Sequence, residues 1–210
     1  MILGIVNQKG GTGKSTVATN LAACFSAEGR DVLLIDADPQ HTALDWRADR
    51  PDNQPRVQTV GLPVRNLHQE LEPFRRKYEV ILIDGGGRIT ATARAAVVVS
   101  DFVIVPLLPS KPDLLSTQDF FREVIHEVAG LKDIQGAILI NQVQSGTLIN
   151  REVRQHLEGL NYPIFETVLH LYVAYKEAMA AGLSVVEYDP KSKAAQEMAA
   201  FFTELKEVLK

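Results

Sequence analysis

The stretch Gly4-Ile5-Val6-Asn7-Gln8-Lys9-Gly10-Gly11-Thr12-Gly13-Lys14-Ser15-Thr16 constrains this chain more than any other. Ile2 to Val6 is a short apolar run that reads as a buried strand. Ser15 to Ala27 carries apolar residues at Val17, Leu21, Cys24 and Phe25 and reads as a helix. A glycine loop joins the two. In a strand, glycine loop, helix order, successive backbone N–H groups turn inward with the positive end of the helix dipole behind them, which is a setting for phosphate. Gly10, Gly11 and Gly13 let the backbone approach an anion with no Cβ in the way. Lys14 can reach β and γ oxygens, and the Ser15 hydroxyl can bind Mg²⁺. Thr12 and Thr16 complete the expected nucleotide-binding set on the loop.

Away from this loop the chain alternates apolar runs with helical patterns. Asp31 to Ile35, Val57 to Val60, Glu79 to Asp84, Asp101 to Pro106 and Gly136 to Asn141 read as strands, with a further short one near Ile164 to Val168. Helices are predicted around Leu44 and Trp46, over Val64 to Lys77, Thr90 to Ser100, from Pro112 to about Val128, Leu148 to Leu160, Ala174 to Ala181 and Lys191 to Val208. Such alternation predicts a single-domain, doubly wound α/β fold, with a mostly parallel sheet covered by helices on both faces. With 210 residues there is room for one such domain over the whole length.

Ligands in these folds sit beyond the carboxyl ends of the strands. Asp36, Asp38 and Asp84 all fall just after strands, at the edge where the glycine loop also lies. A strand-end aspartate alone more often caps a helix or opens a turn. Three beside a phosphate loop point to metal and water: Asp84 and Asp36 as partners of Mg²⁺ together with Ser15, and Asp38 near the attacking water.

The ordinary phosphate-loop pattern has glycine six residues before the lysine, whereas this chain has Gln8 there and an extra lysine, Lys9, beside it. The string Lys9-Gly10-Gly11-Thr12-Gly13-Lys14-Ser15 resembles the deviant Walker A loop of the ParA/MinD family of ATPases. The resemblance runs from Met1 to about Leu209, through Asp36-Ala37-Asp38-Pro39-Gln40, Val105 to Asp113, and Ala174 to Ala195. It implies ATP and Mg²⁺ as cofactors and hydrolysis of ATP to ADP and phosphate. Lys9 would cross to a partner's nucleotide in an ATP-bound homodimer, Lys14 would hold the phosphates and Asp38 would orient the water. Asn141 would contact adenine, and the proline-rich loop ending at Asp113 would pack across the dimer.

Among family branches, the chain is most similar to small plasmid-partition ATPases that have no helix-turn-helix ahead of the loop. That implies nonspecific DNA as a surface and a ParB-like centromere-binding or adaptor protein as the trigger. Arg151, Arg154, Lys176, Lys191 and Lys193 are the candidate DNA contacts. The alternatives are a MinD-like membrane positioner or an ATPase that positions a protein cargo. The formal charge of -4 requires any DNA contact to be a local patch. The expectation is no membrane partner, because Met198, Phe201, Phe202, Leu205 and Val208 read as the packing face of the last helix. The single cysteine, Cys24, reads as core and leaves no set for an iron–sulfur cluster. No basic and apolar leader precedes the first strand, so a cytoplasmic location is expected.

Overall fold

The computed structural model describes residues 1–87, 91–130, 134–144, 153–154, 157 and 162–210. Its centre is a six-stranded parallel sheet in the order β3-β2-β4-β1-β5-β6. The strands are β1 (Ile2–Ile5), β2 (Val32–Asp36), β3 (Gln58–Gly61), β4 (Val80–Asp84), β5 (Phe102–Leu107) and β6 (Gln135–Ile140). The central strands are apolar up to their carboxyl ends, where β2 and β4 close on Asp36 and Asp84, because both faces are covered. Leu3, Leu34, Leu82, Ile104 and Leu139 point to one core, and Leu33, Ile81, Val103 and Ile138, one residue away in register, point to the other.

The first core lies under α1 (Lys14–Ala27), which is buried nearly all round and so shows no strong apolar stripe. Cys24 is inside this core, and burial pushes its thiol up to about 12, as expected of a structural cysteine. Behind α1 lie α7 (Val173–Ala180), α8 (Val185–Tyr188) and α9 (Lys193–Val208). Met198, Phe201, Phe202 and Leu205 of α9 are buried here, whereas Val208 is exposed. The predicted packing face of the last helix is therefore in the core, apart from its final member. The second core is covered by α3 (Leu67–Arg75), α4 (Ala91–Val99), and α5 (Lys111–Phe120), which runs through a π-helical turn (Phe121–Ile125) into α6 (His126–Ala129). The remaining helix, α2 (Thr42–Asp49), follows β2.

One predicted element differs. The Ile164–Val168 strand is reduced to isolated bridges, Ile138 with Ile164 and Val143 with His170. On its outer side this segment is held by carboxylates of α9. Glu204 accepts from the Glu166 and Thr167 amides, and Glu197 from the His170 amide. Side chains thus take the place of a neighbouring strand. Of the helix expected over Leu148 to Leu160, only Val153, Arg154 and Leu157 are described, and these are helical; the rest lies outside the described residues.

β1 connects leftward to β2, while β4 connects across β1 to β5, so the winding reverses beside β1. The crevice at that reversal is where the glycine loop emerges.

Candidate functional site

Loop 9–13 turns between β1 and α1 with Gly11 at φ 78° and Gly13 at φ 88°. At Gly13 a Cβ would also stand 2.3 Å from Asn141 Nδ2, so both backbone conformation and space require glycine. The loop opens onto a cavity of about 760 Å³ lined by Gly10, Gly11, Gly13, Lys14, Ser15 and Thr16 on one side, and by Asp38, Gly86 and Gly87 on the other.

Lys14 is 6% exposed, and its Nζ donates to the Lys9 carbonyl at 2.9 Å. Burial lowers its pKa, with the Asp84 and Asp38 charges opposing that shift. Among the described residues no carboxylate pairs with it within 4.0 Å. Asp84, at the end of β4, is fully buried and neither of its oxygens has a hydrogen-bond partner among the described residues. Burial raises its carboxyl to about 7; the Ser15 hydroxyl and Lys14 pull the other way, the hydroxyl without closing a normal hydrogen bond. A buried cation with no paired carboxylate and a buried carboxylate with no hydrogen-bond donor, both among the described residues, thus face the same cavity edge. Left so, both are destabilising, and a phosphate chain carrying Mg²⁺ supplies the missing partner of each.

Asp36 lies beside Asp84 in register, but its oxygens are engaged. Oδ2 accepts from the Ala43 and Leu44 amides at 2.9 and 3.0 Å, and Oδ1 accepts from the Asp38 amide at 3.1 Å. His41 makes no side-chain cap for α2, so Asp36 caps that helix from the end of β2. What the structure gives it is the bland role that strand-end aspartates commonly have. Asp38 lines the cavity with Oδ1 on the Gln40 amide at 3.0 Å and Oδ2 on the Gly87 amide at 3.3 Å, which ties the loops after β2 and β4 together. Gly85 has no room for a Cβ, which would lie 2.7 Å from Val6.

Lys9 is 36% exposed along its side chain and pairs with Asp113 of the same chain at 2.5 Å. Asp113, 6% exposed at the side chain, stands in the first turn of α5, whose N-cap is Ser110. The proline-rich loop is therefore a strand-to-helix connection with an ordinary cap, and it holds the extra lysine. Asn7 and Gln8 bind the same region: Asn7 Nδ2 donates to Pro106 O at 2.8 Å and to Thr117 Oγ1 at 3.2 Å, and the Gln8 amide bonds to Ser116.

A second cavity, of about 440 Å³, abuts the first at Gly13, Thr16, Thr42 and Gln142. Its walls come from Val17, Trp46, Leu169–Tyr172 and the α7 residues Tyr175, Lys176 and Met179. Glu197 braces this wall, accepting from Tyr172 Oη at 3.1 Å and meeting His170 Nδ1 at 2.8 Å. An apolar hollow with aromatic walls and a few polar groups, one step from a phosphate loop, suits the base and sugar of a nucleotide. Asn141 lines it, but the Asn141 amide donates to Thr12 O at 2.8 Å and its oxygen accepts from the Gln142 amide at 2.9 Å. Its role here is toward the loop.

Sequence reasoning missed Gln142, Trp46 and the 169–179 wall. No motif marks them; only folding brings them to the loop. Of the five basic candidates, Arg151 lies outside the described residues. Arg154 donates to the Phe165 and Glu166 carbonyls at 2.8 and 2.9 Å, and Lys176 lines the second cavity. Lys191 and Lys193 remain as exposed cations at the start of α9.

The family model described as the CobQ/CobB/MinD/ParA nucleotide binding domain matches residues 3–185. The chain is 31% identical over 217 residues to the "maintenance of carboxysome distribution protein A" of Gloeobacter kilaueensis, covering 99% of this chain and 93% of that one. The protein of the same name from Halothiobacillus neapolitanus is 25% identical over 197 residues, covering 92% and 90%. Among solved structures, the septum site-determining protein MinD of Pyrococcus horikoshii complexed with Mg-ADP superposes with a TM-score of 0.77 at 22% identity, over 99% of this chain and 96% of that one.

Proposed function

This chain belongs to the CobQ/CobB/MinD/ParA nucleotide-binding family, and on that premise we propose that it is an ATPase that positions a protein assembly, switched by the ATP-driven pairing of two copies. The observation that carries the reading is the buried Asp84, with no hydrogen-bond partner among the described residues, beside a buried Lys14 held only by a backbone carbonyl at the loop cavity. Mg²⁺ would be held by Ser15 directly and by Asp84 through a bound water, the mode expected for an ion that gives up its water shell reluctantly. Bound there, it would neutralise charge on the phosphates. Lys14 would leave the Lys9 carbonyl for β and γ oxygens. Asp38, at the cavity wall, would hold the attacking water in line. Asp36 would act on the metal only indirectly, by fixing the loop that carries Asp38.

Lys9 would enter the partner's nucleotide site, and doing so requires breaking its pair with Asp113. The two copies would then share each triphosphate, which makes pairing depend on ATP and not on ADP. Light scattering in ATP and Mg²⁺ tests this. The wild type should double its mass, and Lys9→Ala should stay monomeric while still binding ADP. Equal doubling by both would overturn the crossing role.

Relatives named for carboxysome distribution over nearly the full length support a protein cargo, reached through an adaptor protein. DNA segregation through a ParB-like partner is the second reading. Within it, nonspecific DNA would be gripped by Lys191 and Lys193, exposed at one end of α9. ATP-dependent retention on duplex DNA at low salt, lost in Lys191→Glu/Lys193→Glu, would support a DNA track. No retention would remove DNA from the scheme. A membrane track is disfavoured by the burial of Met198, Phe201, Phe202 and Leu205, and no helix among the described residues is long and apolar enough to cross a membrane.

A further inference from the structure

Gln142 follows β6 and holds φ at 55°, one of two non-glycine residues in the left-handed region among those described. Glutamine gains nothing from that conformation, so something outside the residue must hold it there. Its side chain reaches back over the loop, where Nε2 donates to Gly11 O at 2.8 Å. Next to it, Asn141 Nδ2 donates to Thr12 O at 2.8 Å. The Asn141 oxygen closes onto the Gln142 amide at 2.9 Å and fixes the turn between them.

Two successive carbonyls of the loop are therefore pulled toward β6. A trans peptide is planar, and its C=O and N–H point in opposite directions. With the Gly11 and Thr12 carbonyls held on the β6 side, the Thr12 and Gly13 amides must face the opposite side. That is the side of β2 and β4, where Asp38, Gly86 and Gly87 line the phosphate cavity.

We infer that Gln142 is a positioning residue for phosphate recognition: by pinning the Gly11 carbonyl it aims the Thr12 amide at the bound phosphates before nucleotide arrives. Pre-aimed dipoles need no reorganisation when the anion enters, which is the source of their affinity. Gln142 also lines the neighbouring hollow, so it stands at the joint between the phosphate and base ends. The inference rests on the reading that the two cavities together take a nucleotide.

The test measures ADP by displacement of a fluorescent N-methylanthraniloyl-ADP, with adenosine as the phosphate-free competitor. Gln142→Leu keeps the size and removes the donor. It should weaken ADP on the order of tenfold, the loss expected for one hydrogen bond to a polarised group, and leave adenosine unchanged. Gln142→Gly removes the donor and also the left-handed strain. It should weaken ADP similarly while its melting temperature holds or rises, a split that a purely structural role does not give. ADP affinity within twofold of wild type in both variants overturns the inference, as does an equal loss of ADP and adenosine. A wild type that binds no ADP sinks the nucleotide reading itself, which separates that failure from this one. If Gln142→Leu does not fold, the glycine variant decides.

Discussion

The phosphate end of the cleft has one side made by a single run, Gly10 to Thr16, facing the loops after β2 and β4, whereas the hollow beside it takes its walls from α1, α2, α7 and the segment Leu169–Tyr172. The first is backbone and charge from one run, with left-handed glycines, a helix start and a buried lysine, steadied by Asn141 and Gln142 from the end of β6. The second is mostly side-chain surface, and its far wall is held between backbone bonds to β6 and the turn after it on one side and the carboxylates of Glu197 and Glu204, seven residues apart on α9, on the other. A site whose chemistry lies in one run keeps its residue types together whatever changes elsewhere in the fold. A site assembled from distant pieces is as firm as the contacts that assemble it, and those can differ between relatives that share the loop.

The two ends should be separable by probe. Pyrophosphate reports the phosphate end and adenosine the other. Lys14→Ala removes the buried cation proposed to hold the phosphates, so it should lose ADP and pyrophosphate together, each by about 100-fold or more, with adenosine unaffected. Calorimetric titration of all three ligands would check this. Retention of pyrophosphate binding would mean that the anion is held by loop amides alone. Ala180→Phe makes the opposite cut by filling the hollow from the end of α7. ADP should weaken by about tenfold while pyrophosphate binds as in the wild type. Trp46 is the chain's one tryptophan and lines the hollow, so its emission should change with adenosine and not with pyrophosphate.

The same contrast explains what was legible in the sequence. Loop chemistry is carried by residue type at fixed spacing, so Gly10 to Ser15, Asp38 and Asp84 are placed at one edge by the pattern alone. Strand and helix order follows from apolar runs, with ends displaced by a residue or a few. The helix expected to begin at Val64 starts at Leu67 and stops at Arg75, soon after Pro73, which lacks a helical N–H. Asp36 illustrates a limit: a carboxylate after a strand looks the same whether it faces a metal or caps a helix, and the bonds it accepts from the Ala43 and Leu44 amides are visible only in the fold. Asn141 is a second case, because its amide is engaged by Thr12, a residue far away in the chain. Lys9 is a third: its spacing shows that it is unusual, but its partner Asp113 belongs to a helix start over a hundred positions on. In each case the missing information was a tertiary neighbour.

Asp84 gives the finest separation of the two ends, through pH. In the Mg²⁺-free protein its carboxyl is raised from 3.8 to about 7, chiefly by burial. Between those values the folded protein holds a proton that the unfolded chain has released, so stability falls as pH rises. The contribution is fully present below the unfolded value and is lost as pH passes through about 7. Asp36, also raised by burial, adds in the same direction, so the wild-type slope has two sources. Asp84→Asn removes one of them. Its melting temperature relative to wild type should therefore climb by a few degrees between roughly pH 5 and pH 8. Mg²⁺ with ADP favours the ionised carboxylate and should flatten the wild-type slope, whereas adenosine should leave it as it was. Parallel slopes for the two proteins would show that Asp84 titrates alike in the folded and the unfolded chain, and so is no unpartnered carboxylate at the phosphate end.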